Sequence, residues 1–175
     1  MGYYFSKVKP KYYASIKEYR DECLKINSSF DGCNNLEDYE DIEKWDLNNQ
    51  LFEKQDTVPS GYSIGFEYLY ITSGEVVGMV NLRPRAEENI FLNKYGGHIG
   101  YSIKPSKRRL GLGTRMLKEF LPICKNEYGL NKIMISCLED NEGSRRIILN
   151  NGGVLENKVI YPPRNKLLER YWISL

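Results

Sequence analysis

From residue 11 the chain reads KYYASIKEYRDECLKIN, and its apolar positions Tyr12, Ile16, Tyr19 and Cys23 recur every three or four residues, with Leu24 alongside. That spacing predicts a helix over residues 11–27 with one buried face. SSFDGCNN follows as a loop. A second helix is expected across LEDYEDIEKWDLNNQLF, capped by Asn35, with Leu36, Tyr39 and Ile42 on its inner side. The pattern then changes period. YSIGFEYLYI and EVVGMVNLR, rich in β-branched and aromatic residues, flank Thr72-Ser73-Gly74 and predict an antiparallel hairpin.

PRAEENIFLNKYGG is expected as a loop, and HIGYSIKP as a strand stopped by Pro105, which has no N–H to give a ladder. In the next segment Leu112, Met116, Phe120, Cys124 and Tyr128 recur every fourth residue, with Leu117 and Leu121 beside them. This is a helix packing on a sheet, and Gly129 ends it. Pro122 lies inside and predicts a kink or a shortened helix. KIMISCL reads as a buried strand, EDNEGSRRIILNNGG as a short helix, and VLENKVI and LLERYWISL as closing strands around YPPRN. The order predicts an α/β (α+β) fold: a mixed, largely antiparallel sheet flanked by helices, in a single domain over residues 1–175.

Composition narrows the function classes. The chain has 175 residues and a hydrophobic fraction of 41%, enough for a real core. A net charge of +2 gives no general pull toward nucleic acid or membrane. No apolar run approaches the roughly 20 residues of a membrane span, and no signal-peptide core opens the chain, so a cytoplasmic protein is expected. Cys23, Cys33, Cys124 and Cys137 form no C-x-x-C pair, and His98 is the one histidine. No metal site is expected from these spacings, and the thiols read as reduced core residues. On the second predicted helix, Glu37, Asp38, Glu40, Asp41 and Glu43 form either a solvated face or a lip that attracts a cationic substrate.

KRRLGLGT, residues 107–114, is the segment with the most chemistry. It puts three cations and two glycines just before a helix. Free N–H groups at a helix start favour an anion, and glycine lets a phosphate approach the backbone. The spacing does not make a P-loop. It is not a dinucleotide fingerprint either, because Met116 stands where a third glycine is needed. It satisfies R-x-x-G-x-G through Arg108, Gly111 and Gly113; taken alone, that match is equally a tight turn with solvated arginines.

R-x-x-G-x-G between a strand and an amphipathic helix resembles motif A of the GCN5-related N-acetyltransferases (GNAT). Asn141 and Ser144, before a helix that closes on Asn151-Gly152-Gly153, resemble that family's motif B. The likeness runs over about residues 60–175. It leaves residues 1–58 as the variable acceptor-side helices. GGHIGYSIKPSKRRLGLG with the RYWI ending is similar to a subgroup of uncharacterised bacterial acetyltransferases. The resemblance implies direct transfer of acetyl from acetyl-CoA to a primary amine of a small molecule or peptide. It implies pyrophosphate binding along Arg108, Arg109, Leu110, Gly111, Leu112, Gly113 and Thr114. It also implies cofactor contacts from the backbone of Ser102 and Ile103, and from Asn141, Ser144 and Arg145.

The proton path departs from the family pattern. Ile148 occupies the place where many members carry a tyrosine acid, and Gly97 the place where some carry a carboxylate base. His98, Tyr101 and Glu67 are the candidates for proton transfer. Each has a plain structural alternative: His98 as a core or solvent-facing side chain, Tyr101 as a core aromatic, Glu67 as an exposed strand residue. A catalytically silent acyl-CoA-binding module is the alternative function. No nucleic-acid or membrane partner is expected, and a homodimer exchanging terminal strands is left open.

Overall fold

The computed structural model describes residues 2–175. The elements are β1 (Tyr3–Lys7), α1 (Tyr13–Lys25), α2 (Ile42–Phe52), β2 (Phe66–Thr72), β3 (Glu75–Leu82), β4 (Ile99–Ile103), α3 (Leu112–Tyr128), β5 (Lys132–Leu138), α4 (Glu142–Asn150), β6 (Val154–Tyr161) and β7 (Lys166–Ser174). They form a four-stranded sheet ordered β1-β2-β3-β4 and a three-stranded sheet ordered β5-β7-β6. The paired registers of β1 with β2, β2 with β3, β5 with β7 and β6 with β7 are all antiparallel. The mixed α/β class and the largely antiparallel pairing are as the sequence pattern predicts.

The chain divides into two compact units. The first holds the residues up to Arg83 together with Gly100–Gly113. Its core is the inner face of α1 and α2 on one side of the sheet: Ile16, Tyr19, Cys23, Leu36, Trp45, Leu69, Ile71 and Met79 are fully buried. Ser73 and Gly74, with φ of 50° and 80°, make the two-residue turn whose twist matches a hairpin.

Three features differ from the sequence reading. The first is β1, a short run of aromatic and polar residues without a clear period, which exists because it pairs with β2 from Tyr3↔Thr72 to Lys7↔Tyr68. Tertiary pairing wins there over a weak local signal. The second is the start of α2. Asn35 sits in the left-handed region (φ 59°) and opens only a 3-10 turn, Leu36–Asp38. The helix proper begins after Asp41, whose carboxylate accepts the Glu43 N–H at 3.0 Å, so the cap is Asp41.

The third lies in the second unit, Pro84–Ile99 with Thr114–Leu175. Here α3 runs through Pro122 without being shortened. Pro122 and Lys118 are both exposed, so the Lys118 carbonyl that loses its helical partner stays open to solvent. Gly129 (φ 66°) ends the helix, with its N–H on Lys125 O and that of Leu130 on Cys124 O. Within the expected 84–97 loop, Leu92–Gly96 forms one π-helical turn. No helix among the described residues is long and apolar enough to cross a membrane.

Candidate active site

In the first unit, β4 leads into the glycine loop. The Arg108 guanidinium does not stand free in solvent: Nε donates to the Ile103 carbonyl at 2.9 Å and Nη2 to Ser28 Oγ at 2.7 Å. Lys104 is buried and donates to Glu75 at 2.8 Å, and Lys107 pairs with the other Glu75 oxygen at 2.8 Å. Glu22 accepts from Ser106 through both the backbone N–H and Oγ. These contacts tie the start of the loop to α1 and β3. Beyond them Arg109 (φ 62°) and Gly111 (φ 75°) are both left-handed. Left-handed turns of this kind suit a backbone that offers its N–H groups to an anion. Nothing lies within 4 Å of the place a Cβ on Gly111 would take. The loop therefore fits a phosphate group: left-handed backbone at two positions, open approach at Gly111, and an exposed cation in Arg109.

Ser102 and Ile103 lie on β4 as expected, and both are buried. Ser102 Oγ is joined to Tyr19 OH at 2.9 Å and to Cys33 Sγ at 3.1 Å. The loop after α1 rests directly on β4. Gly32 has φ +73°, and a Cβ there would lie 2.4 Å from Gly100 C and O. The D-G pair marks a turn in the sequence, but nothing in it announces this close approach. Gly32→Ala is expected to destabilise the protein by about 3 kcal/mol, from overpacking on backbone plus left-handed strain. Denaturant unfolding that shows no change would mean the loop can lift off β4 without cost.

Glu67 is not the exposed strand residue of the plain alternative. It is 3% exposed. Its Oε2 accepts from Asn81 Nδ2 at 3.1 Å, and its Oε1 has no hydrogen-bond partner among the described residues. Desolvation drives its pKa well above the usual carboxylate value, against the lowering effects of Asn81, Arg83 and Lys7. Arg83 Nη1 donates to Asn81 Oδ1 at 3.2 Å and lies 3.4 Å from where a Gly100 Cβ would be. Glu67 also adds to the burial that raises the Cys33 thiol. Glu67, Asn81, Arg83, Cys33, Ser102 and Gly100 therefore form one polar cluster on the α1–α2 side of the sheet. Tyr101 is half-buried and alternates to the opposite face of β4 from Gly100 and Ser102.

The second unit carries the motif B residues. Asn141 caps α4, its Oδ1 accepting the Ser144 N–H at 3.0 Å. Ile148 is fully buried. Arg145 donates to Glu169 at 2.7 Å and also to the Glu139 carbonyl, so its guanidinium is held inside the unit. Glu169 further accepts from Tyr171 OH at 2.7 Å and pairs with Lys158 at 3.0 Å. Burial would raise its pKa, but Arg145, Tyr171 and Lys158 outweigh that and hold it at about 2. A depressed carboxylate contributes stability above its unfolded value and loses it as pH falls through the folded one. Glu169→Gln is expected to cost about 3 kcal/mol at neutral pH, as for breaking a buried pair. The difference from wild type should shrink in unfolding curves taken from pH 5 down to about 2. An equal loss at every pH would contradict it.

His98 has both ring nitrogens engaged. Nδ1 accepts the Met134 N–H at 3.0 Å, which leaves Nε2 protonated and 3.1 Å from Glu87 Oε2. The free thiols are all buried. Cys23, Cys124 and Cys137 are pushed up to about 11, 12 and 11 by desolvation, so none is a ready nucleophile.

This fold has counterparts among known proteins. The sequence profile of the Acetyltransferase (GNAT) domain family matches residues 31–154, well over half the chain. The chain belongs to that family and is an acyltransferase with acetyl-CoA as its acetyl donor. Solved structures agree in fold. RimL, a ribosomal-protein alpha-N-acetyltransferase in complex with coenzyme A, superposes with a TM-score of 0.71 at 16% identity, over 99% of this chain and 94% of that one. A spermidine N-acetyltransferase SpeG chimera from Vibrio cholerae and hSSAT gives 0.67 at 13%, over 99% and 96%. The microcin self-immunity acetyltransferase MccE, in complex with acetyl-CoA and AMP, gives 0.66 at 18%, over 99% and 92%. At these identities the likeness is one of fold. No curated protein sequence matches the chain significantly.

Proposed function

We propose that the protein acetylates a primary amine of a small molecule or peptide, with Glu67 taking the proton that leaves the nitrogen. The observation that carries this reading is the Glu67 carboxyl itself: buried, raised in pKa, and with one oxygen unpartnered. A buried carboxyl with a raised pKa is better matched to proton transfer near neutral pH than an ordinary one. Acetyl-CoA brings the acetyl group as an activated thioester: the C–N bond forms as the C–S bond breaks, and CoA leaves as its thiolate and takes a proton from solvent. The backbone of Arg109–Thr114 would hold its pyrophosphate, with Arg108 fixing the loop from behind rather than pairing with phosphate. Asn141 would shape the start of α4 as its cap.

Glu37, Asp38, Glu40, Asp41 and Glu43 are all exposed, which supports a cationic acceptor such as a polyamine or a basic peptide. Assay against spermidine, an aminoglycoside, a basic peptide and a neutral amine tests this. The KM for cationic acceptors is expected to rise with ionic strength while that for the neutral amine stays level. Equal salt response would overturn the cationic preference. CoA binding with no turnover on any amine would overturn the proposed reaction.

A further inference from the structure

The segment before β4 is fastened to β5 through a side chain. Gly97 (φ +67°) lies so close that a Cβ there would be 2.5 Å from Met134 O. The His98 N–H donates to the Met134 carbonyl at 2.8 Å, and the Met134 N–H returns to His98 Nδ1 at 3.0 Å. Beside this pair, Ser136 Oγ donates to the Tyr95 carbonyl. In a backbone ladder the Met134 N–H would find a carbonyl; here an imidazole nitrogen stands in for it. Glu87 selects the tautomer by accepting from Nε2 at 3.1 Å, and the Trp172 ring from β7 packs 6.0 Å away.

We propose that His98 is a positioning residue: its ring is a side-chain rung that anchors the start of β4 to Met134. The rung closes within the second unit, and the segment it holds continues in the chain into β4 and the glycine loop. An effect on cofactor affinity rests on the acetyl-CoA reading; the rung itself does not. It holds only while Nδ1 is unprotonated, since a proton there would face the Met134 N–H. The groups around the ring are the Glu87 carboxylate, the Trp172 indole with Lys132 Nζ 4.5 Å from its centre, and the Met134 main chain.

Two variants test it. His98→Ala leaves the buried Met134 N–H without an acceptor. His98→Asn keeps an acceptor for Met134 in the place of Nδ1. Hydrogen exchange at the Met134 amide, followed by NMR without cofactor, is expected to be at least about tenfold faster in His98→Ala and within about threefold of wild type in His98→Asn. CoA affinity by calorimetry should fall about tenfold in His98→Ala and recover in His98→Asn. Equal protection of Met134 in all three proteins would overturn the rung. A large loss of kcat in both variants with unchanged CoA affinity would overturn it too and make His98 the proton carrier. A wild type that binds no CoA would overturn the acetyl-CoA reading, while the exchange data still decide the rung.

Discussion

Replacing Glu67 by Gln is expected to lower kcat for amine acetylation by about a hundredfold or more while leaving CoA affinity unchanged. Gln keeps the size of the side chain and an oxygen for Asn81 Nδ2, so the polar cluster of the first unit is preserved. Only the capacity to take a proton is lost. The pH dependence gives a second signature. Glu67 must be ionised to accept a proton, and desolvation holds its pKa well above 4.5. The wild-type rate should therefore rise with pH through that raised value.

Stability should move the other way. Between the unfolded and folded pKa values the folded protein holds a proton that the unfolded chain lacks, so stability falls as pH rises through that window. Gln cannot ionise. The Tm of Glu67→Gln should consequently gain on that of wild type as pH rises above about 5, measured by calorimetric scans. A variant that is slow yet shows wild-type pH dependence of Tm would mean that Glu67 is ionised in the folded protein, against this account.

Gly111→Val is expected to raise the Kd for CoA by about a hundredfold, near 3 kcal/mol. Gly111 sits at φ +75° with open space where a Cβ would go. A β-branched residue is strained there, by about 1–2 kcal/mol, and its methyl groups would fill open space that a glycine leaves for a phosphate to approach the backbone. The site is exposed, so the fold should survive. Gly111→Asn separates the two effects. Asn tolerates the left-handed region but still adds a Cβ where glycine leaves open space, so it should recover stability more than affinity. Wild-type CoA affinity in Gly111→Val by calorimetry would remove the glycine loop from cofactor binding.

The elements with strong periods were legible in the sequence. The helix from Leu112 and the buried strand from Lys132 follow the four-residue and continuous apolar patterns that predict them. The glycine loop was legible because a turn needing left-handed backbone leaves glycine as its mark. The start of α2 was not, because Asn35 and Asp41 are equally good caps and only Tyr39, extended between them, decides. Strand β1 carries no period that would separate it from a polar leader. Among site residues, Arg108 reads as a counter-charge for phosphate and Arg145 as a cofactor contact; in the structure both guanidiniums bond to groups within their own units. Long cations near a phosphate motif look the same in sequence whether they face the ligand or brace the loop. Glu67 was visible as a candidate, but its burial depends on Cys33 and Asn81, which lie 34 and 14 residues away in the chain. The closeness of Gly32 to Gly100 is likewise a tertiary fact.

The most direct test is release of CoA thiol from acetyl-CoA on addition of amines, followed in wild type and Glu67→Gln at several pH values. Amine-dependent release that rises with pH in wild type and is about a hundredfold lower in Glu67→Gln is the predicted result. Release that is absent, or that is the same in both proteins, would contradict amine acetylation with Glu67 as proton acceptor.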